Sequence, residues 1–177
     1  MADYDLSNLS VLIVDDYQPM RLILKNVLHA LGIKTIAEAP GGLEALTILK
    51  SSNTDIVFAD NLMEPMNGIE LVERIRAGEE DINPFTPIIM VSGLSDLAQI
   101  VKARDAGINE FLTKPVSAKM VYLRICSVIE HPRSFIKAET FSGPDRRRRL
   151  AQIDGEERRD GEYDYDEQKR TQKRSEE

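Results

Sequence analysis

The chain has 177 residues, enough for one domain and an extension. Residues 131–177 hold 12 basic and 12 acidic side chains, so the chain totals of 23 and 30 leave 11 and 18 for residues 1–130, a net charge of −7. An acidic body disfavours nonspecific binding to DNA, which needs clustered lysine and arginine. The single cysteine, Cys126, excludes an internal disulfide.

The amino-terminal residues do not resemble a secretory signal, because Met1–Asp5 is acidic where a signal peptide is basic. No apolar stretch approaches the roughly 20 residues that a membrane-spanning helix needs. We therefore expect a cytoplasmic protein with neither a membrane nor DNA as a partner.

Strand and helix patterns alternate along residues 1–130. Short, wholly apolar runs are typical of strands buried on both faces, and apolar residues spaced three and four apart are typical of amphipathic helices. In chain order the patterns predict a strand at Val11–Val14, a helix from Met20 stopped by Gly32, a strand at 33–37 and a helix from Gly41 to about Lys50. A strand at 56–59 and a helix through Ile69, Val72 and Ile75 follow, and then a strand at 88–91 and a helix through Leu97 and Val101 capped by Ser95. The last two elements are a short strand around Phe111 and a helix after Pro115 that ends before Pro132.

This alternation predicts an α/β fold with a doubly wound, five-stranded parallel sheet, because parallel strands need crossover connections that place helices on both faces. We assign residues 1–130 to this domain. Residues 131–177 are too polar to bury much apolar surface, so we expect a largely disordered, arginine-rich tail.

Polar side chains stand where the predicted strands end. Asp15 and Asp16 follow the first strand, Asp60 the third, Ser92 the fourth and Lys114 the fifth. In an open α/β sheet these carboxyl ends share one edge, where ligands bind. Any one of the aspartates or the serine could be a helix cap. Together the five favour a single cleft.

Three carboxylates in one cleft repel one another unless a cation lies among them, and Mg²⁺ suits carboxylate, carbonyl and phosphate oxygens. Asp60 would then be a nucleophile towards phosphorus. The Lys114 ammonium and the Ser92 hydroxyl would contact the phosphoryl oxygens.

The sequence resembles a response-regulator receiver domain of the single-domain chemotaxis type over roughly residues 8–130. The motifs that carry the resemblance are Asp15-Asp16, Asp60 with Met63, Met66 and Gly68, Ser92-Gly93, and Phe111-Leu112-Thr113-Lys114-Pro115. The resemblance implies a flavodoxin-like strand order of 2-1-3-4-5. It also implies a signalling switch, not an enzyme, that receives a phosphoryl group from a histidine kinase or phosphotransfer protein and signals through protein contacts.

The resemblance further implies how the site binds its metal. Asp60 is the phosphoacceptor, and Asp16, Asp60 and the backbone carbonyl of Leu62 bind Mg²⁺ directly. Asp15 acts largely through water.

The phosphoryl contacts and the switch are also implied by the resemblance. Ser92 and Lys114 bind the phosphoryl group, Ser92 and Phe111 form a coupled switch pair, and the Lys114–Pro115 peptide bond is cis.

Two enzymatic or carrier functions fit the sequence less well. An aspartyl-phosphate phosphatase of similar fold would have a second aspartate two residues after the nucleophile, and this position is Leu62. A flavodoxin-like FMN carrier would have a Ser/Thr/Gly-rich phosphate loop after the first strand, where Asp15-Asp16-Tyr17 would repel a phosphate.

The tail carries two arginine clusters, a run of four and a later pair. The run is Arg146, Arg147, Arg148 and Arg149, and the pair is Arg158 and Arg159. Guanidinium groups match phosphate geometry and stack on planar bases, although a solvated charge run or a protein-docking arm would have the same composition. The segment Gly143–Arg147 resembles the tails of alphaproteobacterial single-domain regulators, some of which bind cyclic di-GMP and act on the flagellar motor. The resemblance implies an anion site at these arginines and an output partner in the motor or chemotaxis machinery.

Overall fold

The computed structural model describes residues 4–93, 97–131, 134–138, 141–145 and 162–163. Up to residue 130, five strands alternate with five helices. The strands are β1 (Ser10–Val14), β2 (Thr35–Ala39), β3 (Ile56–Asp60), β4 (Ile88–Ser92) and β5 (Glu110–Thr113). The helices are α1 (Gln18–Ala30), α2 (Gly42–Ser51), α3 (Gly68–Ala77), α4 (Leu97–Ala106) and α5 (Ala118–Glu130), with a 3-10 turn at Glu79–Asp81. None of the helices in these described ranges is both long and apolar enough to cross a membrane.

The five strands form one parallel sheet in the order β2-β1-β3-β4-β5. This confirms the doubly wound, flavodoxin-like fold. Helices α1 and α5 cover one face of the sheet, and α2, α3 and α4 cover the other. The strand order changes direction between β1 and β3, which is where a cleft opens at the carboxyl edge of such a sheet.

The apolar runs form strands because both faces of the sheet are buried. In β1, Leu12 and Val14 pack with α2 and α3, while Val11 and Ile13 pack with α1 and α5. Successive side chains of a strand point to opposite faces, so a strand covered on both sides has no position for a polar residue until it ends. The first polar side chain after β1 is Asp15.

Helix α3 has defined ends. The Asn67 side chain accepts a hydrogen bond from the Glu70 amide, and the Glu70 side chain accepts one from the Asn67 amide, which forms a capping box. Gly78 ends the helix in the left-handed region at φ 68°, where glycine has no steric cost. The apolar spacing of Ile69, Val72 and Ile75 predicts a helix that ends near Gly78, and the structure confirms this end.

Local details of the sequence prediction need correction. Strand β2 begins at Thr35, and Ile33 is buried in the preceding turn. The spacing of Met20, Ile23, Leu24 and Val27 predicts that Ile23 lies on the apolar face of α1, but Ile23 is 49% exposed. The expected cap at Ser95 lies outside the described residues.

Three further strands lie among the described residues after residue 130. Strands β6 (Phe135–Ala138), β7 (Phe141–Pro144) and β8 (Glu162–Tyr163) form a second, antiparallel sheet in the order β7-β6-β8. Phe135 is only 7% exposed because it packs on the body. An average over a polar segment does not reveal one aromatic anchor.

The arginines of the predicted anion site cannot be compared with the structure. All six lie outside the described residues, namely Arg146, Arg147, Arg148, Arg149, Arg158 and Arg159. The anion site at these arginines therefore stays a prediction.

Candidate phosphorylation site

Sheet register brings the first two site residues together. In the pairing of β1 with β3, Val14 lies beside Ala59, so Asp15 and Asp60 each come one residue further along neighbouring strands. Two aspartates separated by 45 positions in the numbering are therefore neighbours, placed by the sheet rather than by a flexible loop.

Lys114 joins this pair from the far side of the sheet. Ser92 of β4 lies beside Thr113 of β5, and Lys114 follows directly. Its Nζ lies 2.9 Å from Oδ2 of Asp15 and 2.8 Å from Oδ1 of Asp60. Both aspartates are buried, so without the ammonium their repulsion would be strong.

The two carboxylates have matching surroundings. Oδ1 of Asp15 accepts a hydrogen bond from the Tyr17 amide at 2.9 Å, and Oδ2 of Asp60 accepts one from the Leu62 amide at 3.0 Å. In each case the other oxygen contacts Lys114. Each carboxylate is therefore held in one orientation by a backbone amide and by the shared ammonium.

Burial and pairing act against each other on the pKa values of Asp60 and Lys114. Burial raises the pKa of Asp60, the charge of Asp15 adds to the rise, and Lys114 and the Leu62 amide oppose it. Burial alone would lower the pKa of Lys114, but its contacts with Asp60 and Asp15 outweigh burial and raise it. The ammonium is thus protonated at neutral pH.

Asp16 completes an acidic cluster. Asp15, Asp16 and Asp60 each present a carboxylate oxygen, and these oxygens lie within 4.8 Å of one another. Asp16 is exposed, whereas the other two are buried, so the cluster opens to solvent on one side. Three carboxylates against one lysine leave an excess of negative charge, and hard oxygen donors are the ligands that Mg²⁺ prefers. The residues present therefore fit the predicted metal.

Leu62 and Gly68 shape the loop after β3. The Leu62 side chain is 58% exposed, so it places apolar surface beside the cleft. Gly68 is packed so closely against the backbone of Asp60 that a Cβ at this position would overlap the Asp60 carbonyl oxygen. Only glycine allows α3 to begin this close to Asp60.

The remaining predicted residues lie on β4 and β5 or just after them. Ser92 is fully buried at the end of β4, and its carbonyl accepts a hydrogen bond from the Lys114 amide at 2.9 Å. Phe111 is half-buried against the α2–α4 face of the core. Pro115 is exposed, and the Lys114–Pro115 peptide bond is cis.

Arg21 is a site residue that sequence reasoning missed. Its Nη1 donates a hydrogen bond to the Asp15 carbonyl at 2.7 Å, and its Nε lies 3.5 Å from Oε2 of Glu38. Arg21 therefore braces the backbone that presents Asp15. The helical pattern of α1 was traced through apolar residues only, and a search for basic residues in the first turn after Asp15 could have found it.

Comparison with known proteins adds the family. The family model of the response regulator receiver domain matches residues 11–125. The chain belongs to this family. Chemotaxis protein CheY-3 of Vibrio cholerae is 38% identical over 123 residues, which cover 70% of this chain and 93% of that protein. Chemotaxis protein CheY of Pseudomonas aeruginosa is 38% identical over 122 residues, covering 69% and 97%.

Solved structures agree with this family. The CheX–CheY–BeF₃–Mg complex of Borrelia burgdorferi matches with a TM-score of 0.62 and 29% identity, covering 68% of this chain and 89% of that chain. A response regulator receiver protein of Pseudomonas putida matches with a TM-score of 0.60 and 31% identity, covering 66% and 94%. The chain is thus a CheY-like receiver of two-component signalling, and receivers of this kind are phosphorylation-dependent switches that bind Mg²⁺ at an acidic pocket.

Proposed function

We propose that Asp60 accepts the phosphoryl group, from a histidine kinase or a phosphotransfer protein. The observation that carries the proposal is the bridge of Lys114 between the buried carboxylates of Asp15 and Asp60, with Asp16 beside them. Output runs through protein contacts, to a component of the chemotaxis or flagellar machinery. The names of the curated relatives support that assignment.

The chemistry is a phosphoryl transfer from nitrogen to oxygen. A carboxylate oxygen of Asp60 forms a bond to phosphorus as the bond from phosphorus to the donor's imidazole nitrogen breaks, and the electron pair stays on that nitrogen. The Leu62 amide and the Lys114 ammonium hold the carboxylate in place. Such positioning is the main contribution a protein makes to phosphoryl transfer.

We assign the contacts with the oxygens of the transferred phosphoryl group to Lys114 and Ser92. Lys114 is partly exposed and already spans the cleft, so it can exchange a carboxylate contact for a phosphoryl oxygen. Ser92, at the end of the neighbouring strand, supplies a hydroxyl, and Phe111 on β5 responds to its movement.

The metal site is assigned to the acidic cluster. Asp16, Asp60 and the Leu62 carbonyl would hold Mg²⁺ directly, and Asp15 would hold it through water. The positive charge of the metal ion would offset the negative charge of the phosphoryl oxygens. The solvent-open side at Asp16 supports this assignment.

Acetyl phosphate with Mg²⁺ tests the proposal, with intact-mass spectrometry as the readout. Wild-type protein should gain one phosphoryl mass and Asp60→Asn should gain none. Asp55→Asn is the matched control, because Asp55 precedes the opposite end of β3 and is exposed. A phosphorylated Asp60→Asn protein would show that another residue is the acceptor.

We also propose that the tail arginines bind a phosphate-bearing planar ligand such as cyclic di-GMP. The Asp145 amide donates a hydrogen bond to the Ser134 carbonyl at 2.7 Å, so the run Arg146–Arg149 begins directly after an ordered strand pair. Because the residues that precede the run are held in place, less conformational entropy is lost when the run binds a ligand.

Calorimetry with cyclic di-GMP tests the tail proposal on the full chain. Replacing Arg146 and Arg147 by alanine should abolish binding while Asp60 is still phosphorylated. Replacing Lys173 and Arg174, a basic pair elsewhere in the tail, should leave binding unchanged. Failure of the wild-type protein to bind near physiological salt would leave the tail as a protein-docking arm or a linker.

A further inference from the structure

Arg76 is a buried cation at the end of the molecule opposite the acidic cluster. It lies in the last turn of α3, is 3% exposed, and donates hydrogen bonds to four neutral oxygens. The acceptors are the carbonyls of Gly107 at 2.8 Å, Pro84 at 2.6 Å and Thr86 at 2.8 Å, and Oδ1 of Asn109 at 3.0 Å. These bonds join α3 to the segments that enter β4 and β5.

The two segments lead into the strands of the candidate site. Thr86 lies two residues before β4, which ends at Ser92, and Asn109 directly precedes β5, which is followed by Lys114. Oδ1 of Asn109 also accepts a hydrogen bond from the Ile88 amide at 2.9 Å. Arg76 thus fixes the beginnings of the two strands whose far ends present the phosphoryl contacts.

Helix α3 reaches the site at its other end. Gly68 packs against the Asp60 carbonyl, and Arg76 follows eight residues later. At a rise of 1.5 Å per residue, this length of helix spans about 12 Å. The helix is therefore a short rigid connection between the Asp60 backbone and Arg76.

The tail covers Arg76. The Phe135 ring lies 5.9 Å from the guanidinium carbon of Arg76, and its centroid is 4.6 Å from that of Phe85 in an edge-to-face arrangement. Gly143 and Pro144 are buried, and β7 packs against α3 and α4. The paired strands β6 and β7, which we call the tail hairpin, are therefore docked on the receiver domain through Phe135 and through β7.

We propose that Arg76 and Phe85 form an intramolecular docking surface for the tail hairpin, and that docking is thermodynamically coupled to phosphorylation at Asp60. The inference rests on the proposed function. Helix α3 and strands β4 and β5 connect the docking surface with the phosphorylation site. A rearrangement around a phosphoryl group on Asp60 therefore changes the surface that Phe135 contacts. Thermodynamic linkage is reciprocal. If phosphorylation changes the docking equilibrium of the tail hairpin by some factor, docking changes the phosphorylation equilibrium of Asp60 by the same factor. A partner that binds or releases the tail hairpin would therefore shift the phosphorylation equilibrium.

Hydrogen exchange on the full chain tests the coupling, with beryllium fluoride and Mg²⁺ as a mimic of the phosphoryl group. Fluorine NMR reports binding of beryllium fluoride separately, with Asp60→Asn as the unbound control. We expect binding to change the exchange rates of the β6–β7 amides by at least about fivefold, the lower end of usual coupling factors. Bound beryllium fluoride with hairpin rates unchanged within about twofold would overturn the coupling alone. No binding at all would overturn the proposed function with it.

A pair of variants tests the anchor. Phe135→Ala should speed exchange in the hairpin and shift the affinity for beryllium fluoride by about fivefold. Ile136→Ala is the matched control: it is the next residue of β6, on the opposite face of the strand, and should leave the affinity unchanged. Exchange in β1 and β3 shows whether each variant is folded. An affinity of Phe135→Ala equal to that of the wild type would refute the proposal.

Discussion

Two cations in the described part of the chain have opposite surroundings. Lys114, at the carboxyl edge of the sheet, lies between two carboxylates, and its side chain is 25% exposed. Arg76, near the amino edge, is 3% exposed and donates hydrogen bonds to neutral oxygens that include three backbone carbonyls. A cation shared between carboxylates can exchange one of them for a new anion, whereas a cation bonded to backbone carbonyls holds chain segments together.

Both cations are charged at neutral pH. The contacts of Lys114 with Asp60 and Asp15 outweigh burial and raise its pKa, while burial lowers the pKa of Arg76 to about 9. The difference between the two sites is therefore one of partners rather than of charge state. The comparison predicts that loss of Arg76 affects mainly stability and that loss of Lys114 affects mainly phosphorylation.

The largest expected effect is on the stability of Arg76→Met. Four acceptors lose their donor in a buried place, so the free energy of unfolding should fall by about 3 kcal/mol or more. Urea denaturation measures this. Arg74→Met is the matched control, because Arg74 is two residues away on α3 and pairs with Glu79 at the surface; it should cost less than about 1 kcal/mol. Equal losses would remove the structural role assigned to Arg76.

Lys114→Met should reduce the rate of phosphorylation strongly and the stability of the fold less. Removing a preorganised positive group from a phosphoryl site typically slows the reaction by about a hundredfold. We expect a loss of that size in phosphorylation by acetyl phosphate, with a smaller change in stability than for Arg76→Met. Lys102→Met, an exposed lysine of α4, should react like the wild type. An unchanged rate in Lys114→Met would break the comparison.

The acidic cluster makes a prediction about metal affinity. Asp16→Ala removes the carboxylate that we propose as a direct ligand and should weaken Mg²⁺ binding by at least about tenfold. Ser92→Ala removes a phosphoryl contact and should leave Mg²⁺ binding to the unphosphorylated protein nearly unchanged. Titration of both variants compares them, and equal losses would show that the metal lies elsewhere.

The smallest predicted effect concerns Glu38 at the surface. The hydrogen bond from Lys25 lowers the pKa of Glu38 below its ordinary value of 4.5; partial burial opposes this, and the charges of Lys25 and Arg21 add to it. The charged form of Glu38 therefore stabilises the fold through its contacts with Lys25 and Arg21. This stabilisation is fully present above pH 4.5 and is lost as the pH falls through the lowered pKa. Glu38→Gln should be less stable than the wild type by under about 1 kcal/mol at neutral pH, with the difference shrinking as the pH falls below 4.5. Urea denaturation at neutral pH and at a series of lower pH values, with exposed Glu44→Gln as control, measures it. A difference that grows in acid would contradict this sign.

The sequence predicted the carboxyl edge of the sheet better than the amino edge. Asp15, Asp60 and Lys114 could be placed together because each follows an apolar run, and parallel strands end at a common edge. Arg76 could not be identified, because three of the oxygens that accept its hydrogen bonds are backbone carbonyls, which are the same for every residue type. Phe135 was missed because a single aromatic residue in a polar segment has no periodicity.

Borohydride reduction tests the central claim most directly. It converts an aspartyl phosphate to homoserine, so peptide mass spectrometry after treatment with acetyl phosphate and Mg²⁺ identifies the acceptor by position. We predict homoserine at position 60 and at neither 15 nor 16. Homoserine at Asp15 or Asp16, or its absence from a protein that has gained a phosphoryl mass, would contradict the assignment of Asp60.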